Sequence, residues 1–128
     1  MNKRITADAY AWIEYLDGSK RGEPLRDHIN ERAETFTSAV TLAEIISKAA
    51  RTGRDYELAY TIITGNSTII TADEQISYKA GILHAEIRKT IKDFGLSDAY
   101  VLATARSLDA KILTGDPHFK DIEEAIMI

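Results

Sequence analysis

Runs of β-type residues alternate with runs at helical spacing along the whole chain, and that alternation limits the possible folds more than any other feature. Five segments read as strands: "RITAD" (4–8), "ETFTS" (34–38), "STIIT" (67–71), "KILTG" (111–115) and "AIMI" (125–128). Helical segments lie between them, at 9–16, 22–33, 41–53, 55–64, 73–93 and 97–108. In 41–53 the residues Leu42, Ile45, Ile46 and Ala49 share one face, and Gly53 stops the run. The run 73–93 places Ile76, Ala80, Leu83, Ile87 and Ile91 on a stripe, read as core, with a dimer seam as the alternative. Segment 97–108 is rich in alanine and apolar around its girth, which predicts a central buried helix. The pattern predicts an α/β fold on a mainly parallel sheet.

With 128 residues, the chain fits one domain spanning 1–128, which buries about two-thirds of its unfolded surface. No apolar run approaches the roughly 20 residues that span a bilayer, and "MNKRITADAYAW" lacks the apolar stretch of a signal peptide. A cytoplasmic location is expected. Cysteine is absent, which excludes disulfides and thiolate metal sites and leaves His28, His84 and His118 as the imidazoles. Any metal site is therefore mainly oxygen. The formal charge of −4, from 16 basic and 20 acidic residues, argues against a generic basic nucleic-acid binder.

In parallel α/β sheets, ligands bind beyond the carboxyl ends of the strands, where the strand order reverses. Four acids sit at such positions: Asp8 ends the first strand, Asp116 follows the fourth, Asp98 opens the helix feeding the fourth, and Glu44 follows the second. Local roles compete for three of them. Glu44 completes "TLAE", a capping box with Thr41 as cap. Asp98 suits the positive end of a helix, and Asp116 before Pro117 suits a turn. Asp8 is no obvious cap for either neighbour. If the four converge, each like-charged pair at about 4 Å costs about 4 kcal/mol at an effective dielectric near 20. Protonation relieves that cost, and so does a divalent cation of the hard, oxygen-seeking kind, Mg²⁺ or Mn²⁺.

The blocks "TADAYAWIEYL", "TSAVTLAEI", "LSDAYVLATAR" and "ILTGDPHF", carrying Asp8, Glu44, Asp98 and Asp116, resemble in order the acidic blocks of PIN-domain ribonucleases, in particular the VapC toxins of prokaryotic toxin–antitoxin pairs. The resemblance implies a three-layer PIN-like fold, with a five-stranded parallel sheet in the order 3-2-1-4-5 between helices. It also implies Mg²⁺ or Mn²⁺ held by Asp8, Glu44, Asp98 and Asp116, with Asp8 and Asp116 as primary ligands and Ser38 and Thr114 in support. RNA is then the substrate, a VapB-like antitoxin the partner and a homodimer the assembly. This sequence departs from the family in two places: Ala9 replaces the usual small hydroxyl after the first acid, and His118 stands where a further acid is frequent. The rival readings are a PIN-like scaffold that binds RNA or protein without cutting it, and a receiver-type phosphoryl-transfer domain using Asp73 in "IITAD".

Overall fold

The computed structural model describes residues 3–128. Strands β1 (Ile5–Ala7), β2 (Thr35–Ser38), β3 (Thr68–Ile70), β4 (Lys111–Thr114) and β5 (Ala125–Met127) form one sheet in the order β3-β2-β1-β4-β5, with every neighbouring pair parallel. Helices α1 (Ala9–Leu16), α2 (Glu23–Asn30), α3 (Ala39–Arg51), α4 (Tyr56–Asn66), α5 (Glu74–Ile87) and α6 (Leu96–Ser107) supply the crossovers. The α/β fold and the strand order are thus those expected. Each predicted strand forms, shortened by a residue or two.

Side-chain alternation divides the helices between the two faces of the sheet. Ile5, Ala7, Leu113 and Ile69 pack with Trp12, Leu25, Ile45 and Ile63, from α1 to α4. Their neighbours Ile112 and Ile70 turn the other way, onto α5 and α6. A strand between two helical layers has to be apolar on both sides, and the buried pair Ile112 and Leu113 meets that need. Helix α6 is the buried helix predicted, with six residues from Ala99 to Ala105 inaccessible. Trp12 is fully buried, and its indole N–H donates to Thr37 Oγ1 at 3.0 Å, tying α1 to β2.

Two details differ from the sequence reading, and a third decides between its rivals. The helix expected over 73–93 stops at Ile87; turns then fold Ile91 and Phe94 back, and Phe94 is buried edge-on to Phe119 at 5.7 Å. Burying that ring outweighs continued helical periodicity. Helix α3 begins two residues before the predicted start and is capped by Ser38, not Thr41, because Ser38 still pairs with Ile70 in the sheet and holds the extended backbone a cap requires. Thr41 is inside the helix, its buried hydroxyl without a hydrogen-bond partner among the described residues. Glu44 therefore sits in the second turn and completes no capping box. Finally, β3 is an edge strand, whereas receiver-type sheets of order 2-1-3-4-5 place the third strand beside the first. Asp73 caps α5 by accepting from the Ile76 N–H at 2.8 Å. The receiver reading is thereby set aside.

Candidate active site

From β1 the chain runs outward through β2 and β3 on one side, while β4 and β5 lie on the other, so the order reverses between β1 and β4. In a sheet of this kind the ligand position is expected above that pair, at the carboxyl edge. Ala7 pairs with Leu113, which sets Asp8 beside Thr114 at the carboxyl edge.

Asp8 is 5% exposed and bonded through both oxygens. Its Oδ1 accepts from the Ala11 N–H at 2.9 Å, and its Oδ2 accepts from the Thr114 hydroxyl at 2.5 Å. It does cap α1, contrary to the sequence reading, because the extended backbone at the end of a strand is also what a cap needs. Burial pushes its carboxyl up to about 7; the Thr114 and Ala11 bonds oppose that, and the nearby Asp116 and Asp98 add to it.

Thr114, itself fully buried, links two of the acids. Its hydroxyl donates to Asp8 and accepts from the Asp116 N–H at 2.9 Å, so one side chain orients a carboxylate and the backbone of the next acid. Asp116 then caps the 3₁₀ turn Pro117–Phe119, its Oδ1 accepting from the His118 N–H at 2.9 Å. Asp98, in the first turn of α6, accepts through Oδ2 from the Gly95 N–H at 2.9 Å. Burial raises its carboxyl; the Gly95 bond counters this, Asp116 raises it further and His118 lowers it. Glu44 projects from α3 toward the start of α6, where burial raises its carboxyl, the Ser97 hydroxyl opposes and Asp98 adds to the rise. Ser38 spends its hydroxyl on α3, accepting from the Val40 N–H at 3.2 Å. Among the described residues it makes no hydrogen bond to the four acids.

The tightest group of ligand-type atoms combines two predicted acids with a residue the sequence reading passed over. Donor atoms of Asp98, Asp116 and His118 lie within 4.8 Å of one another. His118 Nδ1 is 3.3 Å from Asp116 Oδ1 and 3.4 Å from Asp98 Oδ2, and it is buried without an aligned hydrogen bond. A buried imidazole nitrogen directed between two carboxylates fits a cation between them. Asp8 is not in that triangle but feels both of its acids. The signal for His118 was in the sequence, two residues past the fourth acid, but it registered there as one of three available imidazoles and as a missing carboxylate, not as a member of the site.

The capping duties of Asp8, Asp98 and Asp116 do not account for their charge. Asparagine caps as well as aspartate does. Two capping carboxylates and one that bonds back to a cap, gathered at one sheet edge and two of them with raised pKa, carry an electrostatic cost that these backbone bonds do not require.

A search of curated proteins by sequence gives no significant match. Solved structures give several. A toxin–antitoxin complex from Klebsiella pneumoniae superposes with a TM-score of 0.75 at 18% identity, covering 96% of each chain. VapC20 of Mycobacterium tuberculosis, described as a Sarcin-Ricin loop cleaving toxin, gives 0.76 at 15% identity over 97% of this chain and 98% of that one. VapBC2 from Rickettsia felis, bound to a DNA fragment from its promoter, gives 0.76 at 15% over 97% and 96%. At such identities the likeness is one of fold. The family model described as PIN domain matches residues 5–125, nearly the full length of the sheet and its crevice, and the chain belongs to the PIN domain family.

Proposed function

We propose that the protein is a metal-dependent ribonuclease and the toxin of a VapBC-type pair. The observation that carries this reading is the convergence of Asp98, Asp116 and His118 beside the buried Asp8, at the point where the strand order reverses. Asp98, Asp116 and His118 would hold Mg²⁺ or Mn²⁺, with Asp8 completing the set. A cation held there would supply a water of lowered pKa and would offset the negative charge that builds on the phosphate oxygens. Thr114 keeps Asp8 turned into the crevice and fixes the backbone of Asp116. Glu44, whose raised pKa favours proton uptake, would accept a proton from the attacking water. The Asp98 and Asp116 carboxylates are already bonded to backbone N–H groups, so little reorganisation precedes the chemistry.

A VapB-like antitoxin, a homodimer and a cytoplasmic location complete the proposal. Toxin–antitoxin complexes among the similar folds support the first. Among the described residues no helix is long and apolar enough to cross a membrane. For the dimer, Tyr78 and Ile82 are exposed one turn apart on α5. The rival reading, a PIN scaffold that binds without cutting, draws on the capping roles of three of the acids.

The test is reconstitution. The purified chain should hydrolyse single-stranded RNA with Mn²⁺ or Mg²⁺, stop in EDTA, and recover when the metal is restored. Cleavage that persists undiminished in EDTA contradicts the proposal, and RNA binding without cleavage favours the scaffold.

A further inference from the structure

We infer that Arg21, held in place by Tyr10, is an RNA-positioning residue that binds a backbone phosphate next to the scissile one; the inference rests on the ribonuclease reading above. Tyr10 is two residues past Asp8, and its ring lies against Gly115, the residue before Asp116. A Cβ at Gly115 would stand 2.2 Å from Tyr10 Cε1 and 2.6 Å from Cδ1. No residue but glycine fits between Thr114 and Asp116 while the ring is there. The phenol oxygen accepts from Arg21 Nη1 at 2.5 Å. Arg21 belongs to the 3₁₀ turn Lys20–Gly22, which presses onto α1 so closely that a Cβ at Gly22 would stand 2.5 Å from the Glu14 carbonyl oxygen. Two close approaches that only glycine permits thus serve one arrangement, a guanidinium held one phenol ring away from the acidic crevice.

The anchoring partner is what identifies the ligand. Arg4, Arg26, Arg54 and Arg106 each pair with a carboxylate, whereas among the described residues Arg21, like Arg32, Arg51 and Arg88, shows no ion pair. Arg21 differs from those three in that its neutral partner, the Tyr10 phenol, lies against the residue before Asp116. Phenol orients the fork without neutralising it. Of five N–H donors, one is used, and the side chain is exposed. A full positive charge with free planar donors beside a crevice of carboxylates suits the phosphate of a polyanion that must thread through it, and phosphate is what arginine recognises best. A purely structural clamp between the turn and α1 is the alternative.

Binding of a short single-stranded RNA oligonucleotide, read by fluorescence anisotropy with Mn²⁺ in the Asp98→Asn background, separates the two. Arg21→Gln should raise Kd about tenfold and make the dependence of log affinity on log salt shallower by about 0.7. Arg21→Lys should keep the salt slope and lose part of the affinity, because it keeps the charge and loses the fork. An unchanged Kd and slope in Arg21→Gln, with or without a lowered Tm, overturns the inference and leaves Arg21 a clamp. Failure of the parent Asp98→Asn protein to bind the RNA overturns it too. Cleavage by the unmutated chain is read separately: absent cleavage removes the ribonuclease reading, whereas an Arg21-independent Kd removes only this contact.

Discussion

Replacing Asp8 with asparagine should stabilise the metal-free protein at alkaline pH while disabling its chemistry. Asp8 titrates near 7 in the folded chain and at 3.8 when unfolded, with burial as the main cause. Between those values the native state keeps a proton that the unfolded state has released, so stability falls as pH rises. Each pH unit in that window costs up to about 1.4 kcal/mol, and the full span reaches roughly 4 kcal/mol by pH 8. Asparagine never ionises and avoids that cost. Its amide oxygen still accepts from the Ala11 N–H, but its NH₂ faces a Thr114 hydroxyl that no longer has an acceptor, at a cost of about 1–2 kcal/mol. The balance favours Asp8→Asn by roughly 2–3 kcal/mol at pH 8, a Tm higher by about 10 °C for a chain of this length. At pH 4 the advantage vanishes. The assay is thermal unfolding in EDTA from pH 4 to 8.5. Glu44 and Asp98, also raised, add to the same downward slope in the wild type. Saturating Mn²⁺ should narrow or reverse the ranking, because the wild type, with the fourth ligand, gains more from binding. An Asp8→Asn protein no more stable than wild type at pH 8 in EDTA would refute the reasoning, as would wild-type stability that climbs from pH 5 to pH 8.

Other perturbations follow from the same contacts. Thr114→Val removes the donor to Asp8 and the acceptor of the Asp116 N–H, so unfolding in EDTA should show a loss of about 1–3 kcal/mol. Asp116→Asn keeps an oxygen for the His118 N–H and therefore the turn, and it should retain a normal Tm while losing RNA cleavage. His118→Ala should weaken Mn²⁺ binding at least about tenfold by titration calorimetry without unfolding the protein. Wild type with Mn²⁺ at about 100 times its Kd should gain roughly 2.7 kcal/mol, seen as a raised Tm. Gly115→Ala collides with the Tyr10 ring and should cost about 1–3 kcal/mol; a double-mutant cycle should find that cost reduced in a Tyr10→Ala background.

The fold was legible because its signal is periodic. Strand pairs such as Ile69 with Ile70 and Ile112 with Leu113 are apolar on both faces, which only a sheet covered on both sides accounts for. Helix ends were less legible, since caps depend on where the sheet releases the chain. Ser38 and Thr41 are equally good caps by composition, and the pairing of Ser38 with Ile70 decides between them. The end of α5 turns on a contact between Phe94 and Phe119 that no local pattern encodes. At the candidate site, sequence position alone brought forward Asp8, Glu44, Asp98 and Asp116. Three features required three dimensions: the double bonding of Thr114, the inward imidazole of His118, and the placement of Tyr10 over Gly115.

The carboxylates in the crevice either serve as caps or hold a catalytic cation, and Asp98→Asn separates those roles. The amide oxygen can still accept from the Gly95 N–H and keep the start of α6, while the negative charge beside Asp116 and His118 is gone. The decisive measurement is the rate of RNA cleavage by folded Asp98→Asn relative to wild type in Mn²⁺. The account predicts no detectable cleavage by the variant; cleavage at the wild-type rate would contradict it.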